Sequence, residues 1–435
     1  MNSIYRGEPI SKQDFINSLC ELKVKIQEDL LLQPLMPSVV IEAAHTFSKE
    51  INQEEVVQEL TAMGIPKWSA EEYIKVTINS LERKELLRKV HAELGEEPFV
   101  WRRISDDIEE KEHPLGALMH IGAGNALGLS AFSVIEGLLT GNINILKLPE
   151  NEGGLSSKLL MKLIEIEPRL KPYIYVLDIS SKDREVISEI MEIVHAVVVW
   201  GSDEAIRAVR ELAPPATPII EWGNRLSFAY FTKQEDEEKA LQGLAMDICL
   251  TDQLYCSSPQ CVFYEANNIK ELDNFAERLS NHIKVAAKRY PTASRTTNIQ
   301  AQITWTHELI KMEEILKEKR LITDEDKQYS VMIDYTASLK ASPLFRNIWV
   351  MPIERGKLMS LLITHKGYLQ TVGLSCSREE YEELCSIFYA AGVNRITACG
   401  HMSKNYSGEP HDGVHALKKY VRIINKINNI NKHKS

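Results

Sequence analysis

A cysteine, a glutamate and an asparagine in this sequence have the side chains needed to form and resolve a covalent thioester. Cys256 lies in the run 251–260, Glu221 in the segment Ile-Glu-Trp-Gly-Asn, and Asn125 in the segment Gly-Ala-Gly-Asn-Ala. A thiolate attacks a carbonyl carbon, an amide donor stabilises the charge that develops on oxygen, and a carboxylate moves protons. We therefore expect Cys256 to be the nucleophile and Asn125, with the Cys256 backbone N–H, to hold the oxyanion. Glu221 would relay protons or activate a water or thiol.

Cys256 could instead be an inert core thiol, which is the usual state of an intracellular cysteine. The Ser-Ser-Pro that follows it favours a turn presenting the sulfur to backbone N–H groups, which would stabilise the thiolate. Cys249 and Cys261 lie in apolar runs, and we expect them in the core. The remaining cysteines show no context typical of a nucleophile: Cys20, Cys376, Cys385 and Cys399.

The composition excludes several classes of protein. A chain of 435 residues with 44% hydrophobic and 26% charged residues is typical of a soluble enzyme of two or three domains. The net charge of −10 argues against non-specific nucleic-acid binding. Seven cysteines without a framework spacing indicate a reducing cytoplasm, and the absence of a CxxC pair predicts no metal site. We expect a cytoplasmic protein without a membrane span, because no apolar stretch is long enough to form one.

The order of predicted elements indicates an α/β fold. Residues 1–95 are predicted to be a helical segment that packs on the nucleotide domain. In residues 96–250 short apolar strands alternate with helices, which is typical of a parallel, Rossmann-like nucleotide-binding sheet. Residues 251–400 are predicted to form a catalytic α/β domain that carries the nucleophile. Residues 401–435 are predicted to return to the nucleotide domain, and the Asn- and Lys-rich tail 425–435 is predicted to be disordered.

Ligands on parallel sheets bind at the carboxyl ends of the strands, and several polar or glycine positions are predicted there. Gly122 opens a glycine turn that does not match the dinucleotide fingerprint GxGxxG. Gly201 and Ser202 follow a strand and either seat a phosphate on free N–H groups or simply cap a helix. Lys147 either contacts a ribose hydroxyl or phosphate of a cofactor or is a solvated lysine at the end of a strand.

Taken together, these segments resemble the aldehyde dehydrogenase superfamily, and most closely its acyl-CoA reductase branch, over about residues 95–425. The segment ending at Asn125 is similar to the strand that carries the oxyanion amide. Residues 145–150 resemble the Lys-Pro-Ser-Glu cofactor strand, which implies ribose-facing positions for Lys147 and Glu150. Gly201 with Ser202 matches the Gly-Ser that opens the helix on the nucleotide side.

Three further segments carry the resemblance. Glu-Trp-Gly at 221–223 is similar to Glu-Leu-Gly-Gly with its general base, and residues 253–256 are similar to the Gly-Gln-x-Cys nucleophile motif. The late segment 407–413, Ser-Gly-Glu-Pro-His-Asp-Gly, looks like that of the reductase branch. Three features depart from the superfamily. Glu-Trp-Gly-Asn replaces Glu-Leu-Gly-Gly, the tail is short for the superfamily's oligomerisation strand, and no acidic ribose-binding motif is evident near 342–346.

The resemblance implies an aldehyde-dehydrogenase-like fold of two parallel-sheet α/β domains, together with a mechanism. Cys256 would attack a long-chain acyl-CoA thioester, and a nicotinamide cofactor would deliver hydride to the acyl-enzyme, which would collapse to aldehyde. NADPH is the expected cofactor, and NADH stays open because an acidic Glu150 would favour a free 2′-hydroxyl. The acyl group would come from CoA or from an acyl-transferring protein partner, and a homo-oligomer is expected.

Two other functions stay open. One is an NAD(P)-dependent aldehyde dehydrogenase that oxidises an aldehyde to the acid, with Glu221 activating water. The other is a non-catalytic protein that only binds acyl groups or a partner. Release of free CoA and aldehyde favours the reductase, release of carboxylate favours the dehydrogenase, and the absence of any adduct on Cys256 favours the binding protein.

Overall fold

The computed structural model describes residues 3–32, 34–122, 129–150, 153–234 and 236–427. The chain divides into two compact units. The first unit contains residues 1–52, 75–223 and 406–435, and the second contains residues 53–74 and 224–405. No helix within the described ranges is long and apolar enough to cross a membrane.

Strands and helices alternate through most of both units. The strands are β1 (Ser3–Tyr5), β2 (Glu8–Ile10), β3 (Arg102–Arg103), β4 (Ile108–Pro114), β5 (Ala117–Ile121), β6 (Ile143–Lys147), β7 (Ile174–Leu177), β8 (Ala196–Trp200), β9 (Ile219–Trp222), β10 (Leu226–Phe231), β11 (Pro259–Tyr264), β12 (Lys319–Thr323), β13 (Ser330–Asp334), β14 (Asn347–Pro352), β15 (Leu369–Ser375), β16 (Arg395–Ala398) and β17 (Val421–Ile427).

The helices are α1 (Lys12–Asn17), α2 (Leu19–Asp29), α3 (Pro37–Glu50), α4 (Gln53–Ala62), α5 (Lys67–Ser80), α6 (Arg83–Leu94), α7 (Leu129–Leu139), α8 (Leu155–Ile166), α9 (Arg184–Met191), α10 (Asp203–Leu212), α11 (Glu237–Thr251), α12 (Ile269–Arg289), α13 (Thr297–Ile315), α14 (Arg355–Ile363) and α15 (Tyr381–Ala391). Short 3-10 helices span Pro168–Tyr173 and Leu417–Tyr420.

The first unit is built on a sheet with the strand order β2-β1-β7-β6-β5-β8-β9. Strands β7, β6, β5, β8 and β9 are mutually parallel, and crossover helices connect them. The run Ala-Val-Val-Val in β8 is fully buried, as expected for a strand covered on both faces. The Rossmann-like alternation predicted from the sequence is therefore present. Its edge is extended by the antiparallel strand β1, which pairs with β7 at Ile4 and Val176.

The N-terminal segment 1–95 is divided between the two units. Its strands β1 and β2 belong to the first sheet, whereas residues 53–74 belong to the second unit. Trp68 Nε1 donates a hydrogen bond to the carbonyl oxygen of Pro291 at 2.9 Å, and its ring lies 5.0 Å from that of Tyr290. The sequence predicted one helical layer because helical periodicity does not show which core a helix faces.

The C-terminal segment returns to the first unit and forms β17, which pairs antiparallel with β4 from Val421 to Ile427. The disordered tail predicted from Asn425 onward is therefore wrong for residues 425–427. Lys426 accounts for this order: its ammonium lies 2.9 Å from Glu109 Oε2 and 4.4 Å from the centre of the Trp101 ring. The Asn- and Lys-rich composition did not predict this strand, because it does not show that Lys426 has partners on neighbouring segments.

The second unit is built on a sheet with the order β12-β13-β14-β11-β10-β15-β16, in which β12 is the antiparallel edge. Helices α11 and α12 cover one face, and α14 and α15 cover the other. The boundary expected at residue 250 lies at 223/224, because β10 pairs with β11 and β15 and so belongs to this sheet.

A buried ion pair joins the end of α11 to the start of β14. Arg346 is 1% exposed, and its Nε donates to Asp252 Oδ1 at 2.5 Å. Asp252 ends α11 in the left-handed conformation with φ 48°, and residues 344–346 are also left-handed, with φ of 61°, 49° and 68°. The Phe345 N–H donates to the Asp252 carbonyl oxygen at 2.8 Å. These contacts hold Asp252, the residue at which α11 ends and the turn 252–258 begins.

Replacing Arg346 with Met should destabilise the second unit by about 3–5 kcal/mol, because the buried Asp252 carboxylate would lose the guanidinium that it contacts. Urea denaturation followed by tryptophan fluorescence measures this loss. The matched control Arg346→Lys keeps the positive charge and should lose less. A stability of Arg346→Met equal to that of the wild type would show that the pair does not hold this turn.

Candidate active site

The Cys256 side chain is exposed on a turn between α11 and β11. The Leu254 N–H donates to the Thr251 carbonyl oxygen at 2.9 Å, and the Ser258 N–H donates to the Tyr255 carbonyl oxygen at 2.9 Å. Side chains close the turn as well, since the Thr251 and Ser258 hydroxyls lie 2.7 Å apart. The turn predicted from Ser-Ser-Pro is therefore present, and Cys256 is not a core thiol.

Burial raises the pKa of several other cysteines. The pKa of Cys249 and of Cys261 is raised to about 12, and that of Cys376 to about 11. Burial also raises the pKa of Cys385 and of Cys399. These thiols are therefore protonated at neutral pH and poor nucleophiles. Within the described ranges, no group of three or more His, Cys, Asp or Glu side chains could hold a metal ion.

Gln370 contacts the Cys256 sulfur, and the sequence reasoning did not select it. Its Nε2 donates a hydrogen bond to Cys256 Sγ at 3.2 Å. Gln370 is 7% exposed and is the second residue of β15. The only sequence signal is that a glutamine follows the first leucine of the buried strand Leu-Gln-Thr-Val-Gly-Leu-Ser. Such a signal does not indicate which side chain the glutamine would meet.

Ser227 connects the backbone of Cys256 to the same strand. Its hydroxyl donates to the Cys256 carbonyl oxygen at 2.7 Å and accepts from the Thr371 N–H at 3.1 Å. The pairing of β10 with β15 shifts between Leu226 and Phe228, and its pairing with β11 shifts between Ser227 and Phe228. Irregularities of this kind re-aim side chains and are over-represented next to active sites. Both register shifts occur at Ser227, the residue that contacts the Cys256 carbonyl oxygen.

The predicted cofactor residues of the first unit lie at the carboxyl edge of its sheet. Gly122 directly follows β5, Lys147 is the last residue of β6, and Gly201 directly follows β8. Ile121 is paired with Lys147, which places the ends of β5 and β6 side by side. Ser202 is the N-cap residue of α10. This is the edge at which parallel sheets bind ligands.

A side chain at Gly122 would displace Ser130, and a side chain at Gly201 would be tightly packed. A Cβ on Gly122 would come within 2.0 Å of Ser130 Oγ and 3.1 Å of Pro149 Cγ. A Cβ on Gly201 would lie 3.1 Å from the Ala205 Cβ. The Ser202 hydroxyl accepts a hydrogen bond from the Ala205 N–H at 3.4 Å, so Ser202 caps α10. Ser202 therefore has the predicted helix-cap contact, whereas a phosphate contact at Gly201 and Ser202 stays a prediction.

Lys147 and Glu150 place opposite charges near the end of β6. Burial lowers the pKa of Lys147, which is 6% exposed, while attraction to Glu150 and Asp178 partly offsets this. Hydrogen bonds from the Ser181 N–H, the Ser180 hydroxyl and the Ser181 hydroxyl lower the pKa of Glu150 to about 2. Their lengths are 3.0, 2.8 and 3.1 Å respectively. Glu150 is therefore a fully charged carboxylate at neutral pH.

Glu221 lies on β9 and is held by a guanidinium group. Arg210 Nε and Nη2 donate to its two carboxylate oxygens at 2.5 and 2.7 Å. The neighbouring Trp222 is buried, and its ring stacks on that of Trp200 with 5.3 Å between centres. The sequence reasoning did not predict the Arg210 contact. Glu221 belongs to the first unit and Cys256 to the second, while Asn125 lies outside the described residues.

Comparisons with known proteins agree on one family. The family model described as "Acyl-CoA reductase (LuxC)" matches residues 37–423. The long-chain acyl-protein thioester reductase of Aliivibrio fischeri is 27% identical over 325 residues, which is 73% of this chain and 65% of that protein. The corresponding protein of Vibrio harveyi is 24% identical over 314 residues, 72% of this chain and 64% of that protein. The chain thus spans less than two thirds of the length of these relatives.

Solved structures show the same fold at low sequence identity. The NADP complex of a glyceraldehyde-3-phosphate dehydrogenase from Methanocaldococcus jannaschii is 16% identical with a TM-score of 0.73, covering 97% of this chain and 95% of that one. An NAD-dependent benzaldehyde dehydrogenase from Corynebacterium glutamicum is 16% identical with a TM-score of 0.72, covering 96% and 91%. The predicted aldehyde-dehydrogenase-like α/β fold is confirmed, and the chain belongs to the acyl-CoA reductase (LuxC) family.

Proposed function

We propose that this protein reduces a long-chain fatty acyl thioester to the aldehyde with a nicotinamide cofactor, through an acyl thioester on Cys256. The observation that carries the proposal is the exposed Cys256 thiol, with the Gln370 amide 3.2 Å from its sulfur, on the turn between α11 and β11. The names of the relatives support the class of substrate, because they are reductases of long-chain acyl-protein thioesters.

The residues of this chain would act in the following order. The Cys256 thiolate attacks the acyl carbonyl, the bond between the carbonyl carbon and the donor sulfur breaks, and the donor leaves as a thiolate that takes up a proton from water. Asn125 and the Cys256 N–H stabilise the oxyanion, and Glu221 moves the proton on the oxygen of the thiohemiacetal that forms after hydride transfer. When bound, the cofactor supplies a hydride. The tetrahedral thiohemiacetal then breaks its carbon–sulfur bond, which releases the aldehyde and returns the thiolate.

The residues at the carboxyl edge of the first sheet fit a dinucleotide. A backbone without side chains at Gly122 and Gly201 permits close approach of a ligand. Lys147 would contact a ribose hydroxyl or a phosphate, and Ser202 lies at the N-terminus of α10, where free N–H groups attract phosphate. We propose NADPH as the reductant, with NADH as the competing choice because of the charge on Glu150.

The acyl donor is either CoA or a protein that carries the acyl group as a thioester. Intact-protein mass spectrometry after mixing with acyl-CoAs from octanoyl to stearoyl, without cofactor, tests this step. We expect one acyl group per chain in the wild type and none in Cys256→Ala. Cys20→Ala is the matched control, because Cys20 is also exposed and should not affect the adduct.

Adding NADPH or NADH to the acylated protein should then release aldehyde and restore the original mass. Release of carboxylate instead would favour the aldehyde dehydrogenase. Failure of every acyl-CoA, together with acylation by a protein-bound acyl thioester, would identify a protein as the donor. No adduct from either donor would contradict the proposal and favour a binding protein.

Replacing Glu150 with Gln should raise the ratio of NADPH to NADH activity by about tenfold, because it removes a charge that repels a 2′-phosphate. The kcat/KM values for both cofactors measure this ratio. Glu165→Gln is the matched control, since Glu165 is an exposed carboxylate on α8 and should leave the ratio unchanged. An unchanged ratio in Glu150→Gln would remove Glu150 from the ribose site.

Glu221→Gln should lower turnover by about a hundredfold while leaving acylation within about twofold, because a general acid–base contributes at least that much. Single-turnover acylation and steady-state rates separate the two effects. Arg210→Gln is the control, because it removes the ion pair and leaves the carboxylate. Equal losses of turnover in both variants would show that Glu221 only joins β9 to α10.

A further inference from the structure

We propose that Gln370 is a catalytic residue whose side-chain N–H donates to the Cys256 thiolate, holding it for attack and stabilising it again when the aldehyde leaves. The inference rests on the proposed role of Cys256 as the nucleophile. It adds a donor that acts on the sulfur, whereas Asn125 is assigned to the carbonyl oxygen of the substrate.

The donor reaches the sulfur from the interior of the second unit. Gln370 is 7% exposed, whereas Cys256 is exposed, so the amide occupies the inner side of the sulfur and leaves the outer side open to a substrate. Strand β15 lies between β10 and β16 and is buried along its whole length. The Gln370 carbonyl oxygen also accepts from the Asn394 N–H at 3.0 Å. The donor therefore stands on a rigid element.

The distance between the amide and the sulfur is set by a second attachment. Ser227 links the Cys256 carbonyl oxygen to the Thr371 N–H, so the backbone of the nucleophile is tied to the residue next to Gln370. In the pairing of β10 with β15, Leu226 faces Leu369 and Phe228 faces Val372. Between these pairs, two residues of β15, Gln370 and Thr371, lie opposite the single residue Ser227 of β10. The Thr371 N–H holds the backbone, and the Gln370 side chain contacts the sulfur.

A hydrogen bond to the charged form of a group favours that form. A donor aimed at the sulfur therefore increases the fraction of thiolate at neutral pH. The sulfur of an acyl thioester carries no charge, so this stabilisation is lost on acylation and regained when the thiohemiacetal breaks. Gln370 thus acts at the two steps in which sulfur is anionic, attack and release of aldehyde.

The test measures the reactivity of the thiol in the whole chain without substrate or cofactor. Iodoacetamide is added over a range of pH to the wild type, Gln370→Met and Gln370→Glu, and peptide mass spectrometry follows the alkylation of Cys256. Thr371→Val is the matched control, because it alters the adjacent buried side chain and keeps the amide. Cys20 is the internal reference for reagent reactivity.

In Gln370→Met, we expect Cys256 to react about tenfold more slowly at pH 7, with the midpoint of its pH–rate profile about one unit higher. The plateau at high pH should match the wild type. Gln370→Glu keeps the shape of the side chain and should shift the profile further, because a carboxylate repels the thiolate. Thr371→Val should follow the wild type.

Three outcomes would overturn the proposal. One is a Gln370→Met profile that superimposes on the wild type. Another is a loss of rate at every pH with an unchanged midpoint, which would show that Gln370 only controls access to the sulfur. The third is an equal shift in Thr371→Val, which would attribute the effect to packing. If Gln370→Met does not fold, the shift in Gln370→Glu decides. These results do not depend on whether the protein reduces acyl thioesters.

Discussion

The turn that carries Cys256 depends on a pair of charges buried at its base. Asp252 and Gln253 leave α11 with φ of 48° and 61°, and residues 344–346 are left-handed as well. Such conformations cost about 1–2 kcal/mol for each non-glycine residue. These conformations persist because the buried ion pair between Arg346 and Asp252 stabilises them. An apolar pair of the same size would often be more stable than a buried ion pair, so the advantage of this pair lies in the geometry that it imposes.

The candidate site residues lie at the carboxyl end of the first sheet and at the amino end of the second sheet. In the first unit, Lys147 and Gly201 lie at the carboxyl ends of β6 and β8, as the rule for parallel sheets predicts. In the second unit, Cys256 lies three residues before β11, at the amino end of the sheet, and Gln370 lies near the amino end of β15. The turn that precedes β11 is held by side chains of β10 and β15 in the same sheet. Ser227 and Gln370 provide that support to the backbone and the sulfur of Cys256.

Much of the fold followed from the sequence because parallel buried strands and their crossover helices have a strong pattern. The alternation of buried strands with helices, the strand ends at Lys147 and before Gly201, and the turn at Cys256 were all predicted. The contacts of Gln370 and Arg346 were not, because they join positions 114 and 94 residues apart and depend on strand register. The boundary at 223/224 was missed for a related reason: β10 looks like any buried strand until its partners are known.

The ion pair between Glu221 and Arg210 bears on the direction of the reaction. Oxidation of an aldehyde to the acid requires a base that takes a proton from water. In this protein each carboxylate oxygen of Glu221 already accepts a hydrogen bond from the Arg210 guanidinium, which turns the carboxylate toward α10. Reduction of a thioester makes a smaller demand, since the donor thiol leaves and no water attacks. An arrangement in which Arg210 occupies both carboxylate oxygens is therefore more compatible with the proposed reduction than with the oxidation.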